Sequence, residues 1–175
     1  MTDLFLSAVR LKKGSGYDEG AYPFALPAIR GLNLRLDSRV TFLIGENGAG
    51  KSTLLEAVTV AYGFNAEGGS RNFRFATAET HSELYGYLAL EKGVKRPKDG
   101  YFLRAESFYN VISEVERLGV EDSYGGESLH CRSHGEGFMS LVTDRSSKTA
   151  CTFWTSPRRR CPPPGSWRSL RASMN

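Results

Sequence analysis

Apolar positions in the first third of the chain come in short runs, each separated from the next by glycine, proline or charged residues. Residues 4–11 (LFLSAVRL) have the apolar, partly β-branched character of a strand, and residues 12–20, with glycine at 14, 16 and 20, read as a loop. Residues 23–29 carry a weaker strand pattern, and residues 32–36 (LNLRL) alternate with period two. Residues 40–44 (VTFLI) are a nearly continuous apolar run, which predicts a strand buried on both faces of a sheet. Asp37-Ser38 supplies the turn between these last two. The period then changes. Over residues 52–62, Leu54, Leu55, Val58 and Tyr62 share one side of a helix, Glu56 lies off it, and Gly63 closes it.

Periodicity weakens over residues 65–98, where Gly68-Gly69-Ser70 and residues 71–75 show no clear repeat and residues 82–91 predict a short helix. Tyr101-Phe102-Leu103 predict a strand. Phe108, Val111, Ile112, Val115 and Leu118 follow at i, i+3, i+4, i+7 and i+10, the strongest helical stripe in the chain. Tyr124-Gly125-Gly126 read as a loop. Residues 135–143 predict another helix, with Glu136 in the first turn, where a carboxylate suits the positive end of the helix dipole.

The chain has 175 residues, 40% of them hydrophobic, which is room for one ordinary domain. No apolar run approaches the roughly 20 residues of a spanning helix, and Met1-Thr2-Asp3-Leu4 is not a basic leader, so the expectation is a cytoplasmic protein with no membrane span. The net charge of +4 is unevenly spread. Residues 1–145 hold 17 Lys+Arg against all 19 acids, a balance of −2, while residues 146–175 hold 6 Lys+Arg and no acid. That tail also carries both tryptophans, two of the three cysteines and four of the seven prolines. Composition therefore breaks near Arg145.

Gly45-Glu46-Asn47-Gly48-Ala49-Gly50-Lys51-Ser52-Thr53 fits G-x-x-x-x-G-K-[ST] and lies between a predicted strand and a predicted helix. Phosphate binding needs successive backbone N–H groups turned toward one point, which favours glycine, and a helix N-terminus whose partial positive charge faces the anion. The motif predicts a nucleotide's phosphate chain with Mg²⁺. Gly45, Asn47, Gly48, Ala49 and Gly50 form the cradle, Lys51 supplies charge to the β and γ phosphates, Ser52 offers its hydroxyl to Mg²⁺, and Thr53 reaches the α phosphate.

The motif GENGAGKST, preceded by an antiparallel strand set, resembles the head domain of ABC-type ATPases, specifically the RecF and chromosome-maintenance (SMC-like) branch grouped with AAA family ATPases. The resemblance covers residues 1–145. It implies an α/β P-loop NTPase fold: an ABC-ATPase-like head with a mixed sheet and an antiparallel N-terminal subdomain. It also implies ATP held between two heads of a head-to-tail homodimer, hydrolysis, and frequent links to DNA repair or chromosome maintenance. Arg132-Ser133-His134-Gly135-Glu136 is similar to the family's signature loop, which touches the nucleotide of the opposite subunit; Ser133, Gly135 and Glu136 match, and Arg132 and His134 depart. Glu106 stands where the family places a Gln that contacts Mg²⁺ and the attacking water, the alternative being a solvated carboxylate opening the next helix.

Other clusters are bland. His130, Cys131 and His134 lack a fourth ligand at zinc spacing and read as polar loop residues. Lys95-Arg96-Pro97-Lys98-Asp99-Gly100 reads as an exposed turn rather than a DNA contact, so the first 145 residues give DNA binding no support.

The family requires a further strand ending in Asp-Glu, which helps hold Mg²⁺ and polarises water. In its place stand Ala150-Cys151-Thr152-Phe153-Trp154-Thr155-Ser156-Pro157. If each codon takes the third base of one triplet and the first two of the next, Phe153-Trp154 can encode only Leu and Trp154-Thr155 only Asp. Permissible choices elsewhere give L-Y-I-L-D-E-P. This points to a frameshift near residues 144–147, leaving the fold incomplete at its C-terminus, residues 146–175 as an out-of-frame, disordered basic tail, and ATP hydrolysis weak or absent. The alternative is a genuine basic tail on a non-catalytic, nucleotide-responsive module that binds nucleic acid. A kinase or GTPase ranks below both. Sequencing the coding DNA across codons 140–175 is expected to show the shifted frame open past the present stop and encoding the Asp-Glu strand; a frame that closes within a few codons makes the tail genuine.

Overall fold

The computed structural model describes residues 4–66, 68–70, 82–104, 113, 116–119 and 150–155. The chain divides into two units, one made of residues 1–66 with 76–96 and the other of residues 67–75 with 97–175. Both contain a three-stranded sheet, and the architecture is mixed α/β.

In the first unit, β1 (Leu6–Leu11) is the middle strand, with β2 (Asn33–Arg35) and β4 (Leu88–Lys92) antiparallel on its two edges. Val9 stands opposite Leu34 on one side and Leu90 on the other. Between Leu6 and Ala8 the register with β4 shifts by one residue, and the Ser7 hydroxyl donates to the Glu91 carbonyl at 3.0 Å. Such a bulge bends the strand locally.

The helix α1 (Lys51–Tyr62) packs on β4 and on a 3-10 turn (Glu83–Tyr87). It buries Leu54, Val58 and Tyr62, as the apolar spacing predicts, together with Ala57 and Thr59, while Leu55, expected on the same face, is half-buried. Gly63 ends it as the sequence predicts: at φ 109° it adopts the left-handed conformation glycine tolerates, and its N–H donates to the Thr59 and Val60 carbonyls. Tyr62 ties the helix end to the sheet, its hydroxyl donating to the Phe5 carbonyl at 3.3 Å while the Lys92 ammonium sits 4.6 Å from its ring centroid.

Three expectations change in this unit. Residues 23–29 form helical turns rather than a strand, with the Leu26 carbonyl accepting from both the Ile29 and Arg30 N–H groups. Pro23 and Pro27 remove two N–H donors from that stretch and suit turn positions. The helix expected over residues 82–91 shortens to the 3-10 turn, because from Leu88 onward the backbone pairs with β1. Residues 40–44 form no strand, and Phe42 and Ile44 are 63% and 92% exposed. Burial on both faces requires neighbouring strands, and among the described residues none pairs with this run.

In the second unit, β5 (Asp99–Leu103) is central, flanked by an antiparallel β3 (Gly69–Ser70) and a parallel β6 (Ala150–Trp154). Tyr101, Phe102 and Leu103 are all buried, the pattern of a strand covered on both faces, in agreement with the sequence. Phe102 stands opposite Phe153, and beyond β6 the Thr155 N–H donates to the Leu103 carbonyl at 3.0 Å. The segment Ala150–Trp154 lies within the tail for which the sequence predicts disorder; aromatic and β-branched residues at 152–154 suit a strand, and an edge of β5 supplies the pairing. Residues 116–118 are helical, at the end of the stripe from Phe108 to Leu118. The helix expected over residues 135–143 lies outside the described residues.

Gly93 follows β4, and its N–H donates to the Phe5 carbonyl at 3.1 Å. A β-carbon there would stand 1.8 Å from the Leu4 carbonyl oxygen, whereas at Gly86 nothing lies within 4 Å. Gly93→Ala is therefore expected to cost about 3 kcal/mol, the upper end for overpacking, and Gly86→Ala within about 0.5 kcal/mol of neutral. Urea midpoints at unchanged slope report both.

Candidate phosphate-binding site

Residues 45–50 turn the exposed 40–44 run into α1. Gly48 and Gly50 have φ of 82° and 92°, a region side chains rarely enter, so two of the motif's glycines are required by backbone conformation. Gly50 is the N-cap of α1, with no side-chain capping bond and no acid in the first turn. The first N–H groups of the helix are thus not claimed by a side chain, and the positive end of the helix dipole faces the loop. Intrahelical bonding begins at Leu54, whose N–H donates to the Gly50 carbonyl at 2.8 Å.

Lys51 folds back over the loop. Its ammonium donates to the Gly45 carbonyl at 2.8 Å and to the Glu46 carbonyl at 2.5 Å, which holds the charge beside the backbone amides. Ser52 is exposed in the first turn, Thr53 and Ala49 are half-buried, and Glu46, Asn47 and Gly48 are exposed. Left-handed glycines, a helix N-terminus without a side-chain cap and a lysine held at its start are the donor set that suits a polyphosphate anion.

The loop is backed by residues 23–31, a segment that sequence reasoning did not assign to the site. The Ala28 N–H donates to the Ala49 carbonyl at 2.9 Å. A β-carbon at position 50 would lie 2.9 Å from the Leu26 Cβ and 3.1 Å from its Cδ1, so Leu26 rests against the Gly50 backbone. The turn is anchored in turn by fully buried Ile29 and by Phe24, whose ring stacks on Tyr17 at 4.4 Å and meets Tyr87 edge-on at 5.1 Å. The available signal was Pro23, Pro27 and Gly31 punctuating an apolar stretch.

All the motif residues, Gly45 to Thr53, lie together in the first unit. Glu106, Ser133, Gly135 and Glu136 lie outside the described residues, as do His130, Cys131 and His134. For a divalent cation, the described residues offer the Ser52 hydroxyl, and no group of three His, Cys, Asp or Glu side chains occurs among them. The described part of β6 and its next residue end in Trp154-Thr155, with no carboxylate. Lys95, Arg96 and Lys98 are exposed, but the exposed turn expected over residues 95–100 stops short of its predicted end, since Pro97 is buried and Asp99 and Gly100 open β5.

A family model described as "AAA domain" matches residues 23–124, more than half of the chain. The chain belongs to the AAA domain family. No curated protein and no solved structure matches it. The matched part of this AAA domain contains the phosphate loop, α1, the backing turn from Pro23 and β5, and membership makes it a nucleotide-binding, ATPase-type domain. No described helix is long and apolar enough to cross a membrane.

Two glycine substitutions separate strain from contact in the AAA domain. Gly48→Ala meets nothing within 4 Å and is expected to cost the left-handed penalty alone, about 1–2 kcal/mol. Gly50→Ala carries that penalty and also collides with Leu26. Its urea midpoint is expected to fall clearly below that of Gly48→Ala; equal midpoints would mean that Leu26 yields freely.

Proposed function

We propose that this AAA domain binds MgATP through Gly45, Asn47, Gly48, Ala49, Gly50, Lys51, Ser52 and Thr53, and that it derives from an ABC-type ATPase of the RecF and SMC-like branch. The observation that carries the reading is the loop itself: Gly48 and Gly50 in left-handed conformations lead into a helix start without a side-chain cap, with the Lys51 ammonium folded over it. Lys51 would face the β and γ phosphates and Ser52 would hold Mg²⁺, while ATP supplies the phosphoryl group and the metal offsets charge on it. Asn47 within the motif favours this branch over kinases and GTPases.

Hydrolysis is proposed to be weak or absent. In the reading frame displaced by one base, the forced Leu-Asp pair falls at Phe153-Trp154-Thr155, where β6 ends. The register pairs Trp154 with Leu103, three residues before Glu106 in the sequence. A carboxylate pair there would follow a parallel strand at its C-terminal end, the usual place for chemistry in such sheets. On this proposal the intact gene product is a head-to-tail homodimer in which Ser133, Gly135 and Glu136 of one head face the nucleotide of the other, with Glu106 near the attacking water. The charge split of the chain favours a second reading, a non-catalytic module whose acid-free tail contacts nucleic acid.

Titration with a fluorescent ATP analogue in Mg²⁺ is expected to saturate, and Lys51→Ala to weaken binding by at least about tenfold, the worth of a lost charge-assisted contact. Restoring the frame is expected to add hydrolysis that Lys51→Ala removes. Analogue binding indifferent to Lys51→Ala would sink the assignment, and salt-sensitive DNA binding lost on deleting residues 146–175 would favour the second reading.

A further inference from the structure

We infer that the turn formed by residues 23–31 is a positioning element for the phosphate loop, acting through the Ala28 N–H and the Leu26 side chain, so that affinity for the phosphate chain depends on residues outside the motif. The inference rests on the proposed MgATP site and adds to it the part of the fold that aims its donors.

No strand among the described residues pairs with the segment that leads into the loop. Residues 41–46 carry no strand pairing, and Ile44 is 92% exposed. Among the described residues, the Ala28–Ala49 bond is the backbone hydrogen bond that joins residues 45–50 to anything beyond the loop and α1. Its direction has a geometric effect. In a trans peptide the carbonyl and the next N–H point opposite ways, so an Ala49 carbonyl held toward Ala28 turns the Gly50 N–H to the other side. Leu26 acts on the same peptide, since its Cδ1 lies against Gly50 closely enough that a β-carbon there would be 3.1 Å away. Rotation of the 49–50 peptide would break the Ala28–Ala49 bond. The turn can bear this load because the Leu26 carbonyl accepts two N–H groups, at 2.9 Å each, and buried Ile29 fixes it to the core. Leu26 and Ala28 are positioning residues; they touch the loop and not the nucleotide.

The test compares Leu26→Ala with Val9→Ala, which truncates the buried middle of β1. Both lose stability. Only Leu26→Ala is expected to weaken binding of the Mg²⁺-bound fluorescent ATP analogue, by about tenfold, the equivalent of one misdirected charge-assisted hydrogen bond, and to speed hydrogen exchange at the Gly50 amide while the amides of β1 and β4 keep their protection. Should Leu26→Ala lose its folded circular dichroism spectrum, Leu26→Val, which withdraws Cδ1 from Gly50, is measured instead with a smaller loss of the same kind expected. Wild-type binding that Lys51→Ala weakens and the Leu26 variant leaves within about twofold, too little for one lost hydrogen bond, overturns the positioning role and leaves the MgATP reading standing. Absence of wild-type binding overturns both.

Discussion

Backbone pairing on both edges of β1 is the constraint on which the first unit depends. β2 and β4 reach the sheet only through β1, and α1 reaches it by packing on β4. The helix is then fixed at its far end, where Tyr62 bonds to Phe5 just before β1 and Lys92 closes β4 over the Tyr62 ring. Its near end carries the phosphate loop. A helix clamped at one terminus and free of side-chain caps at the other presents its dipole at a defined place, which diffuse packing along its length would not achieve.

The parts of this arrangement that are local in sequence were legible there. The span of α1 followed from the spacing of Leu54, Val58 and Tyr62 and from Gly63, and the loop from its glycines and Lys51. Strands β1, β2 and β5 announced themselves by alternation or by apolar runs. What failed depends on distant partners. Leu84 and Leu88 stand at i and i+4, a helical spacing, but Leu88 lies opposite Leu11, seventy-odd residues earlier, and that pairing decides the matter. The apolar run at 40–44 states a preference for burial without stating what would bury it. Leu26 was invisible as a site residue because nothing in a turn sequence says which backbone it will rest against.

In the second unit β6 illustrates how little a strand assignment says about chemistry. Phe153 and Trp154 fill the edge of β5 by size and β propensity. On the proposed frameshift the same bases, read one step over, give another apolar segment of similar length and differ chiefly in the two carboxylates that follow. On that proposal the loss falls on water activation, which needs an acid at one defined position.

The run from Val40 to Ile44 has a consequence for handling the molecule. Five residues of high β propensity, without charge or proline, stand at the surface with Val40, Phe42 and Ile44 exposed. Segments of this composition are templates for intermolecular cross-β pairing. Thr41 is the lone polar side chain in the run, and the charges that can act as gatekeepers flank it: Arg39 directly before and Glu46 two residues after. Pairing of this segment with another chain would engage the stretch that leads into the phosphate loop, which ties colloidal behaviour and nucleotide access to the same five residues.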